Sequence, residues 1–506
     1  MNDSVERKSG AILSYISILV NTIIQLLYTP LLVRKLGQSE YGLYSLVASI
    51  IGYLTIMDLG FGNAIVVYTS KYRVQGKTEE ENKLHGMFNI VFKIIALISC
   101  IFGVLLYYNV DYIFSDSMTN FELYKMKVMM LILSFNLFLT FYFAIYNSII
   151  TAYEKFTFQK IVSIIHSILK PLFMIPLLLL GYKSILLCVV ITLANLFTVL
   201  SNYIYCKRKL KINIKYLGFD KALFKNILRY SIWVFLGIVV DKANWSVDNF
   251  VLGAVSGTIA VSIYSIASTL NQTFISMSTA ISNILLPKIS KMVAKEVKSE
   301  ELTNEMIKVG RIQNYIIFLM CSGLVLFGKN FITIWAGKGF EESYYISLLL
   351  IIPLSIPLIQ NLGLSIMQAM NKFKFKSIST FVMAIINVII SVYLAKKLGA
   401  IGAAIGTCIS LILCNIFIIN IYYYKSIKLN VIKFWKNIIN QSLPFAIPII
   451  IILLIMKITK LNGILGFVSY GSIYMIMYFL VVYFISMNEY EKNIIDKVFI
   501  KLHLKR

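Results

Sequence analysis

Stretches of about twenty apolar residues, the length needed to cross the hydrocarbon of a bilayer, recur along this chain from end to end. No water reaches peptide groups in hydrocarbon, so a spanning segment must satisfy its own hydrogen bonds, and continuously apolar runs of this length do so as helices. About fourteen spans can be read, with no segment left over for a soluble domain. Composition agrees: 58% of residues are hydrophobic and 14% charged, against roughly 25% charged in a soluble domain. The expected fold class is an all-α integral membrane protein.

The net charge of +25 raises nucleic acid as a partner, but the distribution of charge argues against it. With both termini placed in the cytoplasm, loops on that side hold roughly three times as many Lys and Arg as loops on the other. This bias predicts an even number of crossings, cytoplasmic termini and membrane lipids as partners. The longest basic run, from Lys207-Arg208-Lys209 to Lys225, is expected at anionic headgroups. Arg7 and Lys8 precede an apolar stretch too long for a signal peptide and without a small-residue cleavage site, so a retained first helix is expected. The six cysteines form no CxxC pair and imply neither disulfides nor a metal site.

A motif then repeats. Ala152-x-x-Lys155-Phe156-x-Phe158 returns as Ala369-x-x-Lys372-Phe373-x-Phe375, roughly 220 residues later. Gly37, Tyr44 and Ser45 answer Gly257, Tyr264 and Ser265. Asn195-Leu-Phe197 answers Asn415-Ile-Phe417, and Gly181 answers Gly399. The unit is six helices, an even number, so its copies would be parallel repeats. The expected organisation is a six-helix lobe over 1–206, a basic cytoplasmic linker over 207–226 and a second six-helix lobe over 227–424. Residues 425–506 would supply an amphipathic linker, two further helices and a basic tail.

Charges inside the spans carry the functional signal, because each costs about 2.5–3.5 kcal/mol at mid-bilayer. Lys170 lies in the middle of the fifth span, with His166 one turn earlier and Pro171 next to it. It is either paired to a structural acid or faces a cavity that takes an anion; the matched residue of the second half is Asn387. Asp241, Asn244, Trp245 and Asp248 share one face of the seventh span by their spacing. Asn21 and Gln25 form a milder polar face on the first span. Lys242 projects beside the stripe. Asp58 precedes Leu59-Gly60-Phe61-Gly62, where a helix break and a cation site for Na⁺ or H⁺ compete with plain packing. Lys170, His166, Lys242, Asn21, Gln25, Asn244 and Trp245 are therefore candidate substrate contacts, and Asp58, Asp241 and Asp248 candidate ion-coupling or cavity acids. No HExxH, P-loop or nucleophile elbow occurs, and the outer loops are short, so an enzyme is not expected.

Several segments resemble the polysaccharide-transporter (O-antigen flippase) branch of the multidrug/oligosaccharidyl-lipid/polysaccharide flippase superfamily. They are Leu36-Gly37-x-x-x-Tyr41-Gly42-x-Tyr44, Asp58-Leu-Gly60, Asp248-x-x-x-Leu252-Gly253 with Tyr264, Leu286-Pro287-Lys288-Ile289-Ser290, Phe331-Ile-x-Ile-Trp335-x-Gly337 and Leu398-Gly399-x-x-Gly402-Ala403-Ala404. The resemblance implies fourteen helices in two lobes around a central cavity that opens alternately to either side. Its substrate would be an undecaprenyl-diphosphate-linked oligosaccharide turned across the bacterial cytoplasmic membrane for O-antigen, capsule or a similar glycan. No cofactor is implied beyond coupling to a Na⁺ or H⁺ gradient, and polysaccharide polymerase and assembly proteins are implied as partners. A cation-coupled multidrug antiporter and a lipid II-type flippase are the alternatives within the superfamily.

Overall fold

A computed structural model describes residues 3–493 and 496, apart from 213, 215, 246, 371, 460 and 462. Every regular element among the described residues is helical. In chain order these are α1 (Asp3–Leu36), α2 (Gln38–Leu54), α3 (Phe61–Val74), α4 (Thr78–Phe114), α5 (Asn120–Tyr142), α6 (Ala144–Ala152), α7 (Phe156–Leu179), α8 (Ser184–Arg208), α9 (Lys221–Trp245), α10 (Val247–Val255) and α11 (Gly257–Ala294). They continue with α12 (Ser299–Trp335), α13 (Glu342–Ile359), α14 (Leu362–Ala369), α15 (Phe373–Leu411), α16 (Ile419–Tyr422), α17 (Val431–Ser442), α18 (Ala446–Thr459) and α19 (Gly463–Val481). Eleven described segments are long and apolar enough to cross a membrane. One of them, Phe373–Ile427, runs for 55 residues and joins two expected spans through Gly399, whose backbone (φ 57°, ψ −135°) leaves the helical region. The first two helices of the expected lobe over 227–424 fall on α9–α10 and α11, which include side chains outside the described residues.

By its contacts the chain forms two compact units, Met1–Ser265 with Val392–Ala403, and Ile266–Ser391 with Ala404–Arg506. In the first unit α4 lies along α5, α1 along α7, and α8 against both α5 and α7. The start of α5 is set by a capping box: Thr119 accepts from the Glu122 backbone while Glu122 Oε2 accepts from the Thr119 N–H at 2.9 Å. Glu122 Oε1 also takes the Ser39 hydroxyl (2.6 Å) and the Thr258 hydroxyl (2.7 Å), which fastens α2 and α11 to the same point. At that crossing a Cβ on Gly42 would overlap the Thr258 carbonyl, so α2 and α11 meet backbone to backbone. Nearby, buried Glu40 accepts from Lys125 and from Ser184, tying α2, α5 and α8 together.

Of the readings left open for the Asp58 segment, the helix break is the one the structure contains. Thr55–Asp58 tighten into a 3₁₀ turn, and Leu59 (φ 52°) and Gly60 (φ 74°) are left-handed before α3 begins. The Asp58 carboxylate accepts from the backbone N–H groups of Gly60 and Gly62, where a negative charge suits the open amides of a helix start.

The second unit contains α12–α14 and α17–α19. Tyr470, Tyr474 and Tyr478 form one buried stripe of α19 at helical spacing. Tyr474 meets the Ser322 hydroxyl at 2.6 Å, and the Tyr478 hydroxyl donates to the Tyr315 carbonyl at 2.7 Å, both on α12. Arg311 forks onto Glu491 (2.6 and 2.9 Å) and donates to the Ser486 carbonyl, which holds the residues after α19 to α12. The amphipathic linker appears as α17, with Phe434 and Ile438 buried and Ile432 and Ile439 exposed.

The sequence-matched positions adopt matching conformations. Gly37 and Gly257 are both left-handed (φ 82° and 81°), as are Gly181 and Gly399 (φ 88° and 57°). The repeated motif begins a helix each time and stacks its last ring on the following helix. Phe158 lies on Tyr205 with centroids 3.8 Å apart, and Phe375 on Tyr422 at 4.0 Å.

Candidate functional site

The first unit encloses a cavity of about 310 Å³ between α2, α5, α7 and α8. Tyr44, Gly52 and Thr55 line it from α2 and its 3₁₀ extension, Asn136 and Thr140 from α5, His166 and Lys170 from α7, and Asn195 from α8. His166 and Lys170 share the wall because they are four residues apart on one helix face. Pro171 and Pro176 both lie inside α7, which runs on past them to Leu179.

Five polar side chains of this wall, Thr55, Asn136, Thr140, His166 and Asn195, are tied to their neighbours. Asn195 Nδ2 donates to Asn136 Oδ1 and to Thr140 Oγ1 (2.8 Å), and Thr140 donates to the Asn136 carbonyl (2.9 Å). The Thr55 hydroxyl donates to the Gly52 carbonyl at 2.6 Å. Thr198 gives its proton to the Ala194 carbonyl (3.2 Å), so its oxygen is free to accept from His166 Nδ1 (2.9 Å), which also reaches Ala194 O (3.0 Å). That network assigns a proton to Nδ1. Among the described residues no acid pairs with the Lys170 ammonium.

A second ammonium borders the same helix face. Lys242 Nζ lies 3.7 Å from the point that a Cβ on Gly52 would occupy. The fold thus gathers His166, Lys170 and Lys242 beside the C-terminal half of α2, although Lys242 belongs to α9. It does not bring Asn21 or Gln25 into this cavity: Asn21 is exposed and donates to Ser17 Oγ at 3.4 Å. Asp248 is 2% exposed and accepts the Tyr264 hydroxyl, while its neighbour Asn249 donates to Ser49 Oγ at 2.9 Å. The motif that links Asp248 to Tyr264 is therefore a buried bond between α10 and α11. The side chains of Asp241, Asn244 and Trp245 lie outside the described residues.

Asn136, Thr140 and Asn195 are the wall residues that sequence reasoning missed. Asn136 and Thr140 are four apart in the mostly apolar second half of α5, a spacing that marks a polar face. Asn195 is legible in sequence only as one member of the repeated Asn-x-Phe.

Chemically, the site offers two ammonium groups, an imidazole and a shelf of amides and hydroxyls. Ammonium groups are point donors to phosphate oxygens, and amides and hydroxyls suit sugar hydroxyls.

Residues 8–293 match the family model described as "Polysaccharide biosynthesis protein". A Shigella flexneri protein named as a candidate O-antigen transporter is 21% identical over 407 residues, covering 78% of this chain and 92% of its own length. Among solved structures, lipid II flippase MurJ in an inward closed conformation superposes with a TM-score of 0.71 at 20% identity, over 93% of this chain and 97% of that one. An inward-facing multidrug resistance MATE family transporter superposes with a TM-score of 0.60 at 14% identity, over 79% of this chain and 96% of that one. These likenesses establish a transporter fold of the MurJ and MATE kind, and none of the relatives is an enzyme.

Proposed function

Because the chain belongs to the polysaccharide biosynthesis protein family and has eleven segments long and apolar enough to cross a membrane among its described residues, we propose that it turns polyprenyl-diphosphate-linked oligosaccharides across the bacterial cytoplasmic membrane by alternating access. The observation that carries this reading is the Lys170 cavity. A lone ammonium within a span costs about 2.5–3.5 kcal/mol, and a second one at Gly52 adds like-charge repulsion. An anion that enters the cavity offsets both terms through charge-assisted hydrogen bonds. A diphosphate supplies that anion, the amide shelf receives sugar hydroxyls, and the polyprenyl tail stays in lipid. The ammonium-rich wall disfavours cationic drugs as substrates.

The excess of Lys and Arg on one side supports cytoplasmic termini. The matching glycines and stacked rings of the two halves support a duplicated six-helix unit. Buried Asp248, 2% exposed on α10 and bonded to Tyr264 of α11, is the acid we assign to gradient coupling among the described residues.

The test is the sidedness of lipid-linked oligosaccharide in cells lacking the protein. Units stranded on the cytoplasmic leaflet, and delivered again once the wild-type gene returns, are expected. Undiminished outward delivery in its absence would sink the reading, and restored drug resistance alone would favour multidrug export.

A further inference from the structure

The helix face that walls the cavity runs Tyr44, Ala48, Ile51, Gly52, Thr55, and one position on it has no side chain. Gly52 lies in the last turn of α2, two residues before its end at Leu54, and a glycine inside a helix is an unfavourable choice unless something requires it. Gly42, ten residues earlier, has such a reason in the Thr258 carbonyl. Gly52 does not: its φ is not left-handed, and no packing atom would be struck by a Cβ. Among the described residues the single atom within 4 Å of that point is Lys242 Nζ, at ordinary contact distance. Among the described residues, the missing side chain leaves only that ammonium beside this edge of the Lys170 cavity. Neither ammonium has an acid partner among the described residues.

We propose that Gly52 is a specificity-determining gap, through which one headgroup with two phosphates engages Lys170 from the cavity and Lys242 beside the same face of α2. A monophosphate would engage Lys170 alone, so the gap selects diphosphate lipids over monophosphate lipids. This rests on the flippase reading above and names the part of the substrate that Gly52 reads. Alanine fits the gap sterically and narrows it; valine fills it and separates the phosphates from Lys242.

The experiment titrates the purified full-length protein in detergent with farnesyl diphosphate and farnesyl monophosphate. Wild type is expected to bind the diphosphate at least about ten-fold more tightly. Gly52→Val and Lys242→Gln should each lower diphosphate affinity about ten-fold, to the monophosphate level, with monophosphate binding unchanged. Gly52→Ala should fall between, and Lys170→Gln should weaken both ligands. A wild-type preference that survives in Gly52→Val and Lys242→Gln overturns the gap and leaves the cavity reading standing. Wild type that binds neither probe overturns both. Should Gly52→Val fail to fold, Lys242→Gln on the half-buried lysine decides the matter alone.

Discussion

The two units treat a cation inside a span in opposite ways. In the first, Lys170 stands in a cavity with no acid beside it among the described residues. In the second, the sequence-matched residue is Asn387, 1% exposed and fully engaged: its amide donates to Thr407 Oγ1 at 3.2 Å and its carbonyl accepts from Ser391 at 3.0 Å. Where the second unit does bury a cation, at Arg311, it supplies Glu491, the Ser486 carbonyl and Tyr315 as partners. A polar group whose bonds are closed serves packing, whereas one left open beside a cavity is kept for a ligand. The contrast also separates residues that matched sequence positions alone would treat alike.

Swapping the two residues is the strongest way to break the comparison. Asn387→Lys would put an unpaired ammonium in a closed site, and a loss of about 3–5 kcal/mol is expected, read as failure to accumulate or a collapsed melting temperature. Glu491→Ala leaves Arg311 buried without its partner and should cost about 3 kcal/mol at neutral pH. Burial pushes the Glu491 carboxyl up, but the Arg311 guanidinium, the Asn488 N–H and the Tyr315 hydroxyl outweigh it and hold it below the usual carboxylate range. A depressed value means that this stability is complete above the unfolded carboxylate pKa, near ~4.3, and is lost as pH falls through the folded one. Melting curves should therefore drop below about pH 4.3 in wild type, with the Glu491→Ala difference shrinking in the same window.

The reverse swap, Lys170→Asn, tests the open side. Transport should fall about 100-fold, or ~2.7 kcal/mol, with melting not lowered and raised if anything by removal of the lone charge, while Lys170→Arg keeps most of the transport. If Lys170→Asn unfolds the protein instead, the lysine is structural and the contrast fails. The smallest effect sharpens what the halves share: Tyr205→Leu and Tyr422→Leu should each cost about 1 kcal/mol, and equally, if the stacked rings do the same job twice.

Much of the fold could be read in the sequence because hydrocarbon imposes it. Span length gave the helices, the glycines at 37, 181, 257 and 399 marked turns that need left-handed backbone, and Asp58-Leu-Gly60 marked a real break. Lys170 and His166 could be paired from helical spacing alone. The meeting of Lys242 with Gly52 could not, since it joins helices distant in sequence and one partner is recognised by an atom it lacks. Asn136 and Asn195 were illegible for a similar reason: an isolated amide in an apolar helix reads equally as packing glue or as cavity wall until its neighbour is known. The tyrosine stripe of α19 was legible by spacing, yet nothing in sequence names α12 as its target.

The joint at Gly42 and Glu122 carries a mechanical consequence. The backbones of α2 and α11 touch there with no side chain between them to act as slack, and the Ser39 and Thr258 hydroxyls share one carboxylate oxygen. Parting these helices cannot proceed by gradual sliding, because the first small separation already forfeits the contact and strands the Thr258 hydroxyl together. Such a joint behaves like a press-stud, either shut or sprung, and a carrier hinged on it would dwell at its end states and pass quickly between them.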